Sequence, residues 1–241
     1  MFNDKTILVT GVCGGIGQTI AKRLLREGAF VIGADMAEEA PPDLKDQIRY
    51  YAFDLAAPTS VERLFSSLDA AQTNLDGLVN NAAYNVRGDV LYISVSEWDA
   101  VMNVNLRGTF LMCQHGARRM LEHGGAIVNI SSSAAKLGGK IAGDHYSIAK
   151  AGVNTLTVLL AKEIAAQGVR VNSICPGPIS TPFHENTTEE EKRAAVRNIP
   201  MGRFGEPAEI AGVVSFLLSE DASYMTGEVL DVNGGLVMET V

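Results

Sequence analysis

The chain has 241 residues, 46% of them hydrophobic and 20% charged, with a net charge of −8. That length holds one α/β domain with a full core, and the acidic balance argues against a nucleic-acid partner, which would need clustered Lys and Arg. Cys13, Cys113 and Cys175 are far apart and odd in number, so no disulfide framework and no zinc site is expected, and a reducing compartment such as the cytoplasm is.

The start of the chain, residues 1–9, is too short and too charged for a signal peptide, and no apolar run approaches the roughly 18 residues of a membrane helix. Residues 5–10 (KTILVT) read as a buried strand, followed by a glycine cluster. Residues 16–27 have helical spacing, with Ile20, Leu24 and Leu25 apolar and Lys22, Arg23 and Arg26 polar. Gly28 ends that helix as a C-terminal cap. Strands follow at 29–34 and 49–53, a helix at 60–71, and a fourth strand at 75–79. A long helix over 94–122 precedes a fifth strand at 125–131 (GAIVNIS). A second long helix, 146–167, stops at Gly168 before strand 169–174. A helix at 207–218 and a strand at 228–232 complete the series. Strands alternate with helices and are near-continuous apolar runs, which predicts a doubly wound parallel sheet of about seven strands with helices on both faces. With no internal repeat or low-complexity linker, residues 1–241 are expected to form a single Rossmann-type domain.

Thr10-Gly11-Val12-Cys13-Gly14-Gly15-Ile16-Gly17 lies between the first strand and the first helix. A glycine turn there lets the backbone approach a pyrophosphate, and the helix N-terminus offers N–H groups and a positive dipole end. The spacing is TGxxxGxG and not GxGxxG, so the turn alone is a weak signal. Asp35 strengthens it. It closes the second strand about 20 residues on, where a carboxylate accepts hydrogen bonds from adenosine ribose hydroxyls. The residues after it, Met36, Ala37 and Glu38, supply no arginine for a 2′-phosphate. NAD is therefore expected over NADP.

With these residues in place the sequence resembles a short-chain dehydrogenase/reductase over essentially its full length. Five motifs match in order: Thr10 to Gly17; Asp54-Leu55; Asn80-Asn81-Ala82-Ala83; Asn129-Ile130-Ser131-Ser132; and Tyr146-Ser147-Ile148-Ala149-Lys150. Pro176-Gly177 agrees as well. The resemblance implies that Asp54 and Leu55 meet the adenine and that Asn81 and Ala82 pack near its ribose. It makes Tyr146 the acid/base, Lys150 its electrostatic partner and a ribose ligand, and Ser132 a donor to the substrate oxygen. Asn105 would anchor a water on the proton path, and Ile179 and Thr181 would contact the nicotinamide amide. Two features depart from the family pattern. Ala83 stands where a glycine is usual, and Ser132 lies one residue further from Tyr146 than is commonest, a spacing Ser133 would restore. Ser132 is preferred because a one-residue slip turns a side chain to the other face.

The chemistry follows from these residue types. Reducing a ketone leaves negative charge on oxygen and requires a proton there. Free tyrosine, with a pKa near ~10, exchanges protons poorly at neutral pH, and a lysine cation four residues along the same helix face favours its phenolate. Ser132 would stabilise the developing charge. The expected activity is an NAD(H)-dependent exchange of hydride between nicotinamide and a secondary alcohol or ketone.

Other residues bound the reading. Cys13 reads as a small filler of the phosphate turn. His145 and His184 flank the site without metal-ligand company, and Glu189-Glu190-Glu191 is a solvated helix start. The resemblance makes residues 183–200 a lid over the substrate. The hydrophilic residues in it, with Asn85 and Arg87, point to a sugar or polyol. Two rivals stand beside this reading. One is a 3-oxoacyl thioester reductase, and the other a regulatory protein that binds NAD without turnover. Both long helices are about twice the mean length, and the second is apolar beyond one stripe, at Val153, Leu156, Leu159 and Leu160 together with Thr157 and Val158. With the family-like tail 231–236, this predicts a homotetramer with two kinds of two-fold contact.

Overall fold

A computed structural model describes residues 1–138, 142–181 and 187–238. Seven strands form one sheet: β1 (Thr6–Thr10), β2 (Phe30–Asp35), β3 (Arg49–Ala52), β4 (Gly77–Asn80), β5 (Gly125–Ile130), β6 (Val169–Pro176) and β7 (Val229–Val232). Their order is β3-β2-β1-β4-β5-β6-β7, and every pairing is parallel. The order reverses between β1 and β4, where the chain leaves opposite ways from adjacent strand ends. A crevice opens there, outside the carboxyl ends of the strands.

Helices cover both faces, as alternating side chains require. Ile7 and Val9 point into a core shared with α1 (Gly15–Arg26) and α8 (Pro207–Leu218). Leu8 points into the opposite core, built with α2 (Pro58–Ala70), α4 (Thr109–Met120) and α6 (Asp144–Ile164). The remaining helices are α3 (Val95–Met102), α5 (Ala134–Leu137) and α7 (Glu189–Arg197).

The expected helix over 94–122 is three pieces. Between α3 and α4 the backbone widens into a π-helix at Asn103–Gly108. Within this stretch the Asn105 side-chain Nδ2 donates to the Val101 carbonyl at 2.9 Å. The second long helix begins at Asp144 and ends in a 3₁₀ turn at Ala165–Gln167, closed by Gly168 with φ 75°. The four-residue α5 was not anticipated. Helix α7 grows from the acidic triplet read as a helix start, with Thr188 and Glu191 forming a reciprocal capping box.

Candidate active site

The crevice is a cleft of about 910 Å³ running along the C-terminal edge of the sheet. At its centre is the turn after β1. Gly11 has φ 73°, and a Cβ there would lie 2.8 Å from the Ala82 Cα. At Gly17 a Cβ would lie 2.0 Å from the Gly11 carbonyl oxygen. Both positions therefore require glycine. Asn81 staples the turn, its Nδ2 donating to the Thr10 and Gly11 carbonyls at 3.0 and 3.1 Å. Thr10 Oγ1 accepts from the Asn81 and Ala82 backbone N–H groups. Helix α1 starts at this turn with no side-chain cap, so its first-turn N–H groups face the cleft without an intrahelical acceptor. The backbone cradle formed with Gly14, Gly15 and Ile16 suits a pyrophosphate.

One end of the cleft is acidic. Asp35, Asp54 and Leu55 line it, with Cys13 on the turn opposite. The Cys13 N–H donates to Asp35 Oδ2 at 2.9 Å, and the Ala37 N–H lies 3.4 Å from Oδ1. The Ala56 N–H donates to Asp54 Oδ1 at 2.8 Å.

The other end carries Tyr146, Lys150, Ser132, Ile179 and Thr181. From β2 to β5 is three strand spacings, roughly 14 Å, so a ligand touching both ends must be elongated. Tyr146 is 8% exposed, and Ser132 lies close enough to its phenol to favour the phenolate. Ser133 lines the same cleft. Burial pushes Tyr146 up to about 12. Lys150 is 2% exposed; its Nζ donates to the Ile130 carbonyl at 2.7 Å and lies 5.6 Å from the Tyr146 ring centroid. Burial draws it down to about 8. Of the influences on Tyr146, burial raises its pKa and Ser132 lowers it. The phenol keeps its proton at neutral pH and is set to give it to a substrate oxygen.

Among the described residues, several side chains expected at the site do not line the cleft. Asn105 is fully buried and does not line the cleft; its amide bonds the Tyr84 backbone on both sides, Nδ2 to the carbonyl at 2.6 Å and Oδ1 from the N–H at 3.3 Å. Its side chain thereby fixes the Tyr84 backbone in the cleft wall. The polar residues taken for sugar contacts face elsewhere. Arg87 pairs with Glu191 at 3.0 Å, Asn85 Oδ1 accepts from the Gly143 N–H, and Lys192 pairs with Glu189. Among the described residues the substrate end is mostly apolar, with Tyr84, Leu137, Ala142, Ala195 and Leu236 beside the polar Asn198. His145 is fully buried, and neither ring nitrogen finds a partner. His184, Phe183 and Asn186 lie outside the described residues.

Ala195 and Asn198 escaped the sequence reading, although a signal was present. The Thr188-x-x-Glu191 capping pattern fixes the start of α7, and positions 191, 195 and 198 then share one helix face. Among the described residues no cluster of His, Cys, Asp or Glu could hold a metal, and no helix is long and apolar enough to cross a membrane.

Comparison with known proteins agrees with this geometry. The family model described as enoyl-(acyl carrier protein) reductase matches residues 11–237. The 3-oxoacyl-(acyl-carrier-protein) reductase FabG of Thermotoga maritima is 36% identical over 244 residues, covering 97% of this chain and 98% of that protein. The (3R)-3-hydroxyacyl-CoA dehydrogenase of Mus musculus is 37% identical, covering 96% of this chain and 95% of that protein. A crystal structure from Agrobacterium tumefaciens, provisionally assigned as a 2-deoxy-D-gluconate 3-dehydrogenase and holding NADP, superposes with a TM-score of 0.88 at 37% identity, covering 97% and 96% of the two chains.

Proposed function

The chain belongs to the short-chain dehydrogenase/reductase family of oxidoreductases, and from that premise we propose that it interconverts a secondary alcohol and a ketone with NAD(H). The observation that carries this reading is one cleft holding the glycine cradle and Asp35 at one end and the Ser132–Tyr146–Lys150 group at the other. The nicotinamide, when bound, supplies or accepts the hydride. Tyr146 gives its proton to the carbonyl oxygen in reduction and takes it back in oxidation. Ser132 holds that oxygen in place and stabilises its charge. Lys150, fixed on Ile130 and beside the Tyr146 ring, supplies a cation that favours the phenolate once charge develops, and we assign it to the nicotinamide ribose as well. Ile179 and Thr181 are assigned to the nicotinamide amide, Asp54 and Leu55 to the adenine, and Asn81 and Ala82 to the adenosine side.

NAD is preferred over NADP on this chain's own residues. The Asp35 carboxylate would repel a 2′-phosphate, and the exposed Met36, Ala37, Glu38 and Glu39 offer it no cation. A second reading, reduction of a 3-oxoacyl thioester, is favoured by the apolar substrate end. A sugar or polyol would find Ser132, Tyr146, Thr181 and Asn198 as polar partners there among the described residues. We also assign a homotetramer, and the cytoplasm as a compartment that suits three free cysteines.

The test is an activity screen with NAD(H) and NADP(H) across acyl thioesters, hydroxy acids, polyols and sugars. Turnover with one class and a preference of at least about tenfold for NAD(H) is expected, roughly the size of one repelled phosphate contact. Equal use of both cofactors would remove the NAD reading. Cofactor binding with no turnover on any class would favour a regulatory protein.

A further inference from the structure

We infer that Tyr50, which lies outside the cleft, is the positioning residue that sets the cofactor preference by holding Asp35 and the segment after it in place. This rests on the NAD reading above and names the part of the fold that enforces it.

Tyr50 sits on β3 in register with Gly33, two residues before Asp35 on β2. Val12 and Ile48 close over Gly33 from the same side. From there the Tyr50 ring reaches past the strand end. Its hydroxyl donates to the Ala37 carbonyl at 2.6 Å and lies 3.8 Å from the Cys13 sulfur. The sulfur is in turn 3.9 Å from the Glu39 carbonyl oxygen. With the Cys13 N–H on Asp35 Oδ2 and the Ala37 N–H near Oδ1, the contacts close into a ring: Cys13, Asp35, Ala37, Tyr50 and back to Cys13. Three separate segments, the phosphate turn, the end of β2 and the loop after it, are thereby tied to one phenol.

The consequence is directional. Asp35 Oδ2 is occupied by the turn, which leaves the weakly held Oδ1 for a ribose hydroxyl. The Met36–Glu39 segment is held against Tyr50 through the Ala37 carbonyl, and the Ala37 N–H in turn faces Asp35 Oδ1. A 2′-phosphate at that ribose would meet the Asp35 carboxylate held there. Releasing the brace should therefore weaken NAD(H) while leaving NADP(H) unchanged or slightly improved. A side chain that merely stabilised the fold would change both equally.

Binding of NADH and NADPH is measured by fluorescence on wild type, Tyr50→Phe, Asp35→Ala and the double variant. Tyr50→Phe keeps the ring, and a ratio of two affinities on one sample is insensitive to any unfolded fraction. We expect Tyr50→Phe to cut the NADH preference by about threefold or more, the size of one hydrogen bond, chiefly through weaker NADH binding. In the Asp35→Ala background it should leave the ratio unchanged. A wild-type preference that Tyr50→Phe leaves intact, or equal loss of both affinities, overturns this inference alone. So does an undiminished Tyr50 effect on the ratio without Asp35. Absence of any NADH preference in wild type overturns the NAD reading, and this inference with it.

Discussion

Burial holds Tyr146 up at about 12 and Lys150 down at about 8, so each group is kept nearer its neutral form than water would allow. For Tyr146 this makes a proton donor. Tyr146→Phe should lower kcat by at least about a hundredfold, the usual scale of general acid–base catalysis, with NADH affinity within a few fold; kcat retained above a tenth of wild type would contradict the role. For Lys150 the arrangement carries a stability penalty with a definite pH dependence. Below about 8 the lysine is charged in both folded and unfolded chains, and its burial penalises the fold. Between about 8 and its ordinary 10.5 the folded protein has released the proton and the unfolded chain still holds it, so stability rises with pH. Above 10.5 the penalty is gone. Lys150→Met lacks this term and loses the Ile130 hydrogen bond at every pH. From pH 7 to 10.5, wild type should therefore gain about 3 kcal/mol relative to Lys150→Met. Denaturant unfolding of both proteins across that range checks it, and a constant difference would mean that Lys150 is solvated in solution.

At the scale of elements, α7 forms one wall of the substrate end and is tied across the mouth by the Arg87–Glu191 pair, 104 residues apart in sequence. Arg87 itself stands on a loop fixed to the start of α6: the Asp144 N–H donates to the Gly88 carbonyl and Asp144 Oδ2 accepts from the Val90 N–H. The pair is exposed, so its effect is small, about two- to fivefold on local opening. Arg87→Ala and Glu191→Gln should each speed amide hydrogen exchange within Glu189–Arg197 by that factor, and the double variant should add nothing. Glutamine can keep the bond to Thr188, so additive effects would place the origin in the helix cap and not in the bridge. The sequence carries most of the elements here, because strand runs such as KTILVT and the helical spacing at 16–27 are local patterns. It carries the glycine cradle and the Tyr146–Lys150 pair, because each is a short motif on one element. It does not carry the π-helix, which has no local sequence pattern of its own, or the pairing of Arg87 with Glu191. The same limit applies to Tyr50: nothing near it in sequence indicates that a strand residue reaches Ala37 and Cys13. Composition shows that residues near the lid are polar but not which way they turn: Arg87, Asn85 and Lys192 spend their polar groups on other protein groups.

The whole molecule exposes more large apolar side chains than the site uses. Phe110 on α4 is 43% exposed, and Ile148 and Leu159 on α6 are 43% and 60% exposed. Met102, Leu106, Phe110 and Leu156 line a groove between the two helical stretches. An apolar face of this kind on neighbouring helices suits a self-complementary contact about a two-fold axis. A second face is separate from it. Strand β7 is an open sheet edge, and Phe216 on α8 is 39% exposed. An unpaired strand beside an apolar helix is the sort of edge proteins cover. Two such faces, each pairing with its own copy, close a tetramer, whereas either alone closes a dimer. Light scattering coupled to size exclusion should therefore give four times the 25.7 kDa chain mass at micromolar concentration. Phe110→Asp combined with Leu159→Asp places two carboxylates on the helical face, where burying them without partners is prohibitive. That variant should run at half the wild-type mass with its fold intact by circular dichroism, because the β7–α8 contact survives. A wild-type mass of one chain would refute both contacts. An unchanged mass in the double variant would show that the helical face is not an interface.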